Sequence, residues 1–157
     1  MNTEEIMTRN VKYCWPETSL SEAAALMWDH DCGALPVVDD ERKVIGMITD
    51  RDIAIAAATK GRLATDIYVG EVMSGNVYAC VLNEDVNSAL KTMSRERVRR
   101  LPVIEANGKL AGILSINDIV LRAGQSKGRQ MPEISYDDVM SVFKAVCEHP
   151  RSFQAVA

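Results

Sequence analysis

Apolar and polar positions follow two rhythms along this chain, one helical and one extended, and the same succession of rhythms occurs twice. Leu20, Ala23, Ala24 and Met27 fall at i, i+3, i+4 and i+7, one apolar face of a helix. Ser19 with Glu22 forms a capping box at its start, Trp28 flanks the stripe half buried, and Gly33 breaks the helix. A short extended run, Val11 to Cys14, precedes it and stops at Pro16. Ala34-Leu35-Pro36-Val37-Val38 is a β-rich run in which Pro36 argues for a strand edge or entry. The polar turn Asp39-Asp40-Glu41-Arg42-Lys43 leads to a return strand, Val44 to Thr49. Asp50 to Ala58 then reads as a second helix, with Ile53, Ala56 and Ala57 apolar. The predicted order is β-α-β-β-α.

The second passage repeats the first without a gap. Val77 to Cys80 matches the opening run, and Asp85 replaces Ser19 as N-cap. Val86, Ala89, Leu90 and Met93 reproduce the helical stripe, and Leu101-Pro102-Val103-Ile104 the β-rich run. Asn107-Gly108 is a hairpin turn signal, Lys109 to Ser115 the return strand, and Ile116 to Ala123 the closing helix. Gly46 and Gly112, Pro36 and Pro102, and Asp52 and Asp118 are each 66 residues apart. An internal repeat of this kind reorganises the reading of the whole chain. It predicts an α/β fold of two tandem β-α-β-β-α units packed with pseudo-two-fold symmetry: 1–58, a linker 59–71, and 72–123. Within the linker, Ile67-Tyr68-Val69 is expected to pack on the core. Residues 124–157 are a polar connector followed by an amphipathic helix. Ser135 and Asp138 start that helix, Val139, Val142, Phe143 and Val146 line it, and it ends near His149-Pro150.

The strand-to-helix junctions carry the candidate chemistry. Gly46-Met47-Ile48-Thr49-Asp50-Arg51-Asp52 runs from a buried strand into a helix start. There a hydroxyl, a carboxylate and unpaired N–H groups meet, a setting that suits a sugar-phosphate edge. Asp52 can accept two hydroxyl hydrogen bonds, as a ribose diol presents them. The other reading is that Thr49 and Asp52 only cap the helix. Gly112-Ile113-Leu114-Ser115-Ile116-Asn117-Asp118 repeats the junction, with Ser for Thr.

Composition narrows the classes. The 157 residues are 47% hydrophobic and 25% charged, which suits one soluble domain or two small ones sharing a core. A net charge of −4 gives no electrostatic case for nucleic acid or anionic membrane. The acidic N-terminus has no apolar run, so no signal peptide is expected, and no stretch approaches the roughly 18 apolar residues of a membrane span. Cys14, Cys32, Cys80 and Cys147 form no C-x-x-C pair, so free thiols in a reducing, cytoplasmic compartment are expected. Cys14 and Cys80 read as buried small hydrophobes, and His30 with Cys32 is too sparse for a metal site. No phosphate-loop, nucleophile-elbow or zinc-protease motif is present, so no catalytic residues are assigned.

The repeated unit resembles the cystathionine-beta-synthase (CBS) domain, and the two copies resemble a tandem CBS pair, or Bateman module. The resemblance rests on Met7-Thr8, Leu35-Pro36-Val37 and Gly46 to Asp52, with their partners Met73-Ser74, Leu101-Pro102-Val103 and Gly112 to Asp118. It implies clefts between the halves, a homodimer, and an adenosine-containing ligand: AMP, ADP, ATP, S-adenosylmethionine or a dinucleotide. It implies that Thr49 and Asp52, and Ser115 and Asp118, hold ribose. It also implies that Gly33, Ala34, Leu35 and Pro36, and Arg100, Leu101 and Pro102, line adenine. Arg51, Arg97 and Arg99 are the phosphate candidates. Gly33-Ala34 stands opposite Arg99-Arg100 and Asp50-Arg51 opposite Ile116-Asn117, so two unequal sites are expected. The function implied is a regulatory, signal-transducing module without catalysis that passes its binding state to an effector protein. The alternative is a structural or redox-responsive homodimer that binds no small molecule.

Overall fold

The architecture follows from where each apolar stripe finds cover. The computed structural model describes residues 1–125 and 132–148. The chain divides into two compact units: Arg9–Ala79 with Ile104–Gly112, and Met1–Thr8 with Cys80–Val103 and Ile113–Ala157.

In the first of these, α2 (Leu20–Asp29) starts at a reciprocal cap: Glu22 N–H donates to Ser19 Oγ at 3.2 Å and Ser19 N–H to Glu22 Oε2 at 2.9 Å. Strands β1 (Ala34–Val38) and β2 (Val44–Thr49) pair antiparallel, Ala34 opposite Thr49, and β2 runs straight into α3 (Asp50–Thr59). Leu20, Leu35, Val37 and Ile48 are fully buried between helices and sheet. Ile67 and Val69 of the connecting segment join that core, while Tyr68 between them is exposed.

Two expectations about this unit change. Val11 to Cys14 does not form a strand; only Cys14 bridges Val37. Cys14 N–H donates to Pro36 C=O at 3.0 Å and Val38 N–H to Cys14 C=O at 2.9 Å. Pro36 has no N–H to give on that edge, and Pro16 stops the run beyond it, so the ladder cannot lengthen. Trp28 is 86% exposed, not half buried, and Ala24 and Ala57 are exposed as well. A two-stranded sheet covers only the narrow stripe of Leu20, Ala23 and Met27, and no element of this unit covers the outer helical face.

In the second repeat, β3 (Cys80–Val81), β4 (Arg100–Ile104) and β5 (Leu110–Ser115) make a sheet in that order, with α4 (Val86–Glu96) and α5 (Ile116–Arg122); all of it but the hairpin end Ile104–Gly112 belongs to the other unit. Its core includes Val86, Ala89, Leu90, Met93 and Leu101. A short N-terminal helix, α1 (Thr3–Ile6), gives no periodic signal in sequence. It is held by Thr3 Oγ1, which lies within donating distance of Val81 C=O at 2.7 Å and Leu82 C=O at 2.8 Å. The tail helix α6 (Tyr136–Cys147) lies against α4 and α5 and buries Val139 and Val142. Phe143 leaves the predicted stripe: it turns to the outer side with Tyr136 and Met140. Residues 126–131 of the polar connector, and His149 and Pro150 with the chain beyond them, lie outside the described residues.

The lead-in segments exchange units. Thr8 pairs with Ile113 and Ser74 with Met47, each through two backbone hydrogen bonds of 2.9–3.1 Å. Each lead-in therefore completes the sheet edge of the other repeat. Gly46 permits the second crossing, because a Cβ there would lie 2.6 Å from Met73 Sδ and 3.0 Å from Ser74 C=O.

Candidate functional site

Both strand-to-helix junctions form the same reciprocal cap. Thr49 Oγ1 donates to Asp52 Oδ2 at 2.7 Å, Thr49 N–H donates to the same oxygen at 2.9 Å, and Asp52 N–H returns to Thr49 Oγ1 at 3.2 Å. The corresponding distances for Ser115 and Asp118 are 2.6, 2.8 and 3.3 Å. Capping and ligand holding are therefore not rival uses of these residues. An ionised carboxylate has about four lone-pair sites. The cap uses Oδ2 and leaves Oδ1 of each Asp without a hydrogen bond among the described residues. The cap thus fixes the carboxylate's orientation and keeps one oxygen open.

α6 provides a comparison within the same chain. Ser135 and Asp138 make an identical cap, at 2.6, 2.8 and 3.1 Å. Among the described residues no named strand runs into it, although Ser135 bridges Gly124 and Tyr136 N–H donates to Gly124 C=O at 3.2 Å. A capping box alone is therefore not the signature. What marks the two junctions is a hairpin strand that runs straight into the helix, β2 into α3 and β5 into α5, with the helix start bonded beside the other strand. Asp50 N–H donates to Gly33 C=O at 3.2 Å, and Ile116 N–H to Arg99 C=O at 3.0 Å. These bonds bring Gly33 beside Thr49 and Asp52 in one unit, and Arg99 and Arg100 beside Ser115 and Asp118 in the other.

The remaining site residues separate by exposure. Ala34, Leu35, Pro36, Leu101 and Pro102 are buried, Leu35 and Leu101 completely. Their side chains belong to the core, and what they can present to a ligand is backbone. Gly33 and Arg100 are half buried, and Arg51 and Arg99 are exposed with no ion-pair partner among the described residues. Arg97 is placed elsewhere: it caps α4 in the left-handed conformation at φ 55° and pairs with Glu148 at 3.5 Å. The junctions also differ in charge, since Asp50 is exposed where its counterpart Ile116 is buried.

An open groove of about 440 Å³ lies between α2 and α3, with Trp28, Met27, Ile53, Ala54 and Cys32 along it and Gly33 and Asp50 at one end. Of the predicted site residues only Gly33 lines it. Its signal in sequence was Trp28 beside an alanine-rich helix, where the helical stripe alone reads as leaving Trp28 half buried.

Cys14 and Cys80 are buried, and burial pushes both thiols up to about 12. Each Sγ–H points at a proline carbonyl, Cys14 at Pro36 (4.0 Å) and Cys80 at Pro102 (3.8 Å). They are protonated packing groups, as their matched positions in the repeat predict. Among the described residues, no three or more His, Cys, Asp or Glu side chains are grouped to hold a metal ion.

Comparison with known proteins decides the family. The CBS-domain model matches residues 4–59 and again 69–123. The chain belongs to the CBS-domain family. It is 33% identical over 140 residues to the CBS domain-containing protein YhcV of Bacillus subtilis, covering 88% of this chain and 98% of that one. Its fold is similar to the CBS domain pair of protein MJ0100, solved in complex with 5′-methylthioadenosine and S-adenosyl-L-methionine. That match has a TM-score of 0.70 and 27% identity, over 77% of this chain and 94% of the other. It is also similar to CBSX2 solved in complex with AMP, with a TM-score of 0.65 and 27% identity, over 76% and 93% of the two chains. The two matched CBS segments contain both capped junctions, and they begin before the two lead-ins that exchange units. No described helix of this CBS pair is long and apolar enough to cross a membrane.

Proposed function

We propose that this CBS pair is a regulatory module that binds an adenosine-containing ligand at its capped junctions and passes the binding state to an effector protein. The observation that carries this reading is the doubled junction: a strand-end hydroxyl and a carboxylate with one oxygen open, twice at the same offset. The adenosine ligands in the MJ0100 and CBSX2 complexes support it. Thr49 with Asp52, and Ser115 with Asp118, hold the ribose diol. Backbone groups beside Pro36 and Pro102 read the adenine edge, and Arg51 in one site and Arg99 in the other meet phosphate. The sites are unequal, because Asp50 adds negative charge to the first and Ile116 adds none to the second. The chain works as a cytoplasmic homodimer with no catalysis of its own, and ligand acts by binding two conformations unequally.

Calorimetric titration with AMP and with S-adenosylmethionine tests this. The expected result is saturable binding of one of them, lost in Asp52→Ala or in Asp118→Ala and kept in Asp138→Ala. The last variant removes the same kind of cap from α6, outside both junctions, and controls for helix destabilisation. No binding of either ligand, or equal loss in all three variants, would sink the reading. Buried, protonated Cys14 and Cys80 disfavour the redox-responsive alternative.

A further inference from the structure

Helix α6 buries one face and leaves a second apolar face in solvent. Val139 and Val142 are buried, while Tyr136, Met140 and Phe143 are 58%, 54% and 36% exposed and Cys147 is exposed beside them. These four follow one another at +4, +3 and +4, the alternation of a coiled-coil seam. At 3.6 residues per turn they fall within about 60° of arc. On the flank opposite the buried valines stand Asp137 and Lys144, one acid and one base seven residues apart. Neither is in an ion pair among the described residues.

We propose that this stripe is the seam of an antiparallel, two-fold pairing with α6 of a second copy of this chain. The arrangement deepens the homodimer reading by naming its surface. An antiparallel alignment centred between Met140 and Phe143 sets Met140 of one copy against Phe143 of the other, and Tyr136 against Cys147. The same two-fold brings Asp137 of each copy beside Lys144 of the other, so one charge pairing forms twice. A parallel alignment sets this flank against the valine flank of the second copy, gives neither charge an opposite, and aligns the helix dipoles unfavourably. The seam also accounts for Tyr136, Met140 and Phe143 on a helix whose packing within its own unit is complete without them.

Sedimentation equilibrium on the full chain tests the seam. Wild type is expected to be a dimer. Met140→Glu, which alters no contact of the buried face, is expected to raise the dissociation constant about tenfold or more. Lys144→Asp sets like charges together twice and is expected to raise it about fivefold or more, and adding Asp137→Lys to it restores dimerisation. Far-UV circular dichroism verifies that each variant keeps its helices. Orientation is read separately: Tyr136→Cys treated with diamide is expected to cross-link position 136 of one chain to Cys147 of the other. Wild type, whose two Cys147 thiols stand about 16 Å apart along the antiparallel pair, is expected not to cross-link there. A bond between the two Cys147 residues overturns the antiparallel register. A dimer indifferent to Met140→Glu and Lys144→Asp overturns the seam and leaves the homodimer and ligand readings standing. A monomeric wild type overturns the seam and the homodimer together, and leaves ligand binding to its own test.

Discussion

At the scale of single residues, the helix caps leave each junction carboxylate one oxygen for the proposed ribose contact. Asp52 and Asp118 each spend one oxygen closing a helix start and keep the other open. Removing either is expected to cost about 1 kcal/mol of stability through the lost cap. Asp138→Ala is expected to cost a similar amount, and only the two junction variants are expected to affect ligand binding; thermal unfolding beside titration separates the two effects. The cysteines divide by burial. At neutral pH a thiol reagent such as DTNB is expected to label Cys147 at once and Cys14 and Cys80 only when the chain unfolds. Prompt labelling of all four would contradict the burial described for Cys14 and Cys80. Their raised pKa values also set an alkaline limit. A thiol that titrates near 12 in the fold and near 9 when unfolded stabilises the fold fully below about pH 9. That contribution is lost as pH rises from there toward 12. The melting temperature is therefore expected to fall above about pH 9, with a shallower slope in a Cys14→Ala, Cys80→Ala double variant. At the acid end, Ser19 holds the Glu22 carboxyl, and Ser135 the Asp138 carboxyl, below their usual range. Their contributions are present above about pH 4 and fade as pH falls through the lowered values.

At the scale of elements, the close crossing at Gly46 is the most exacting contact. Gly46→Ala forces the methyl against Met73 Sδ, which can move, and Ser74 C=O, which cannot move without breaking its pairing with Met47. The expected cost is about 1–3 kcal/mol by thermal or denaturant unfolding, and a variant as stable as wild type would show that the lead-in does not sit there. The helices of the two repeats, the tail helix, both hairpins and the caps at Ser19, Thr49, Ser115 and Ser135 were legible in the sequence, because stripe, cap residue and turn residue agreed there, while α1 was not. The lead-in strand and Trp28 were not. Alternation over Val11 to Cys14 reads as a strand, but ladder length depends on whether Pro36 offers an N–H on that edge. Periodicity places Trp28 next to an apolar stripe without saying whether a layer exists to cover it. Phe143 failed likewise, since it borders both the buried stripe and the outer one. The candidate site was legible as residue types at a fixed offset. That Leu35 and Leu101 lie wholly in the core was not, because their position beside the site in sequence does not tell which face they turn.

At the scale of the whole molecule, the repeat in sequence and the unit in space are not the same piece of chain. Residues 1–8 close the sheet edge of the second repeat, and Ser74 closes that of the first. A chain cut between the repeats would leave each half without its own lead-in contact. The two helical faces also differ. Leu90 is buried where α6 lies on α4, and its counterpart Ala24 stays exposed along the open groove. One repeat therefore has its outer face covered by the chain's own tail helix, and the other does not, which makes two repeats of the same fold unequal in packing as well as in charge. The central claim is that the junction carboxylates read a ribose diol, and it is tested without altering the protein. Calorimetric titration would compare AMP with 2′,3′-dideoxy-AMP on the wild-type chain. Hydrogen bonds to a charged group are worth about 1.5–3 kcal/mol each, so the dideoxy analogue is expected to bind at least about tenfold more weakly. Equal affinity for the two would mean that Asp52 and Asp118 only cap helices, and would contradict the account.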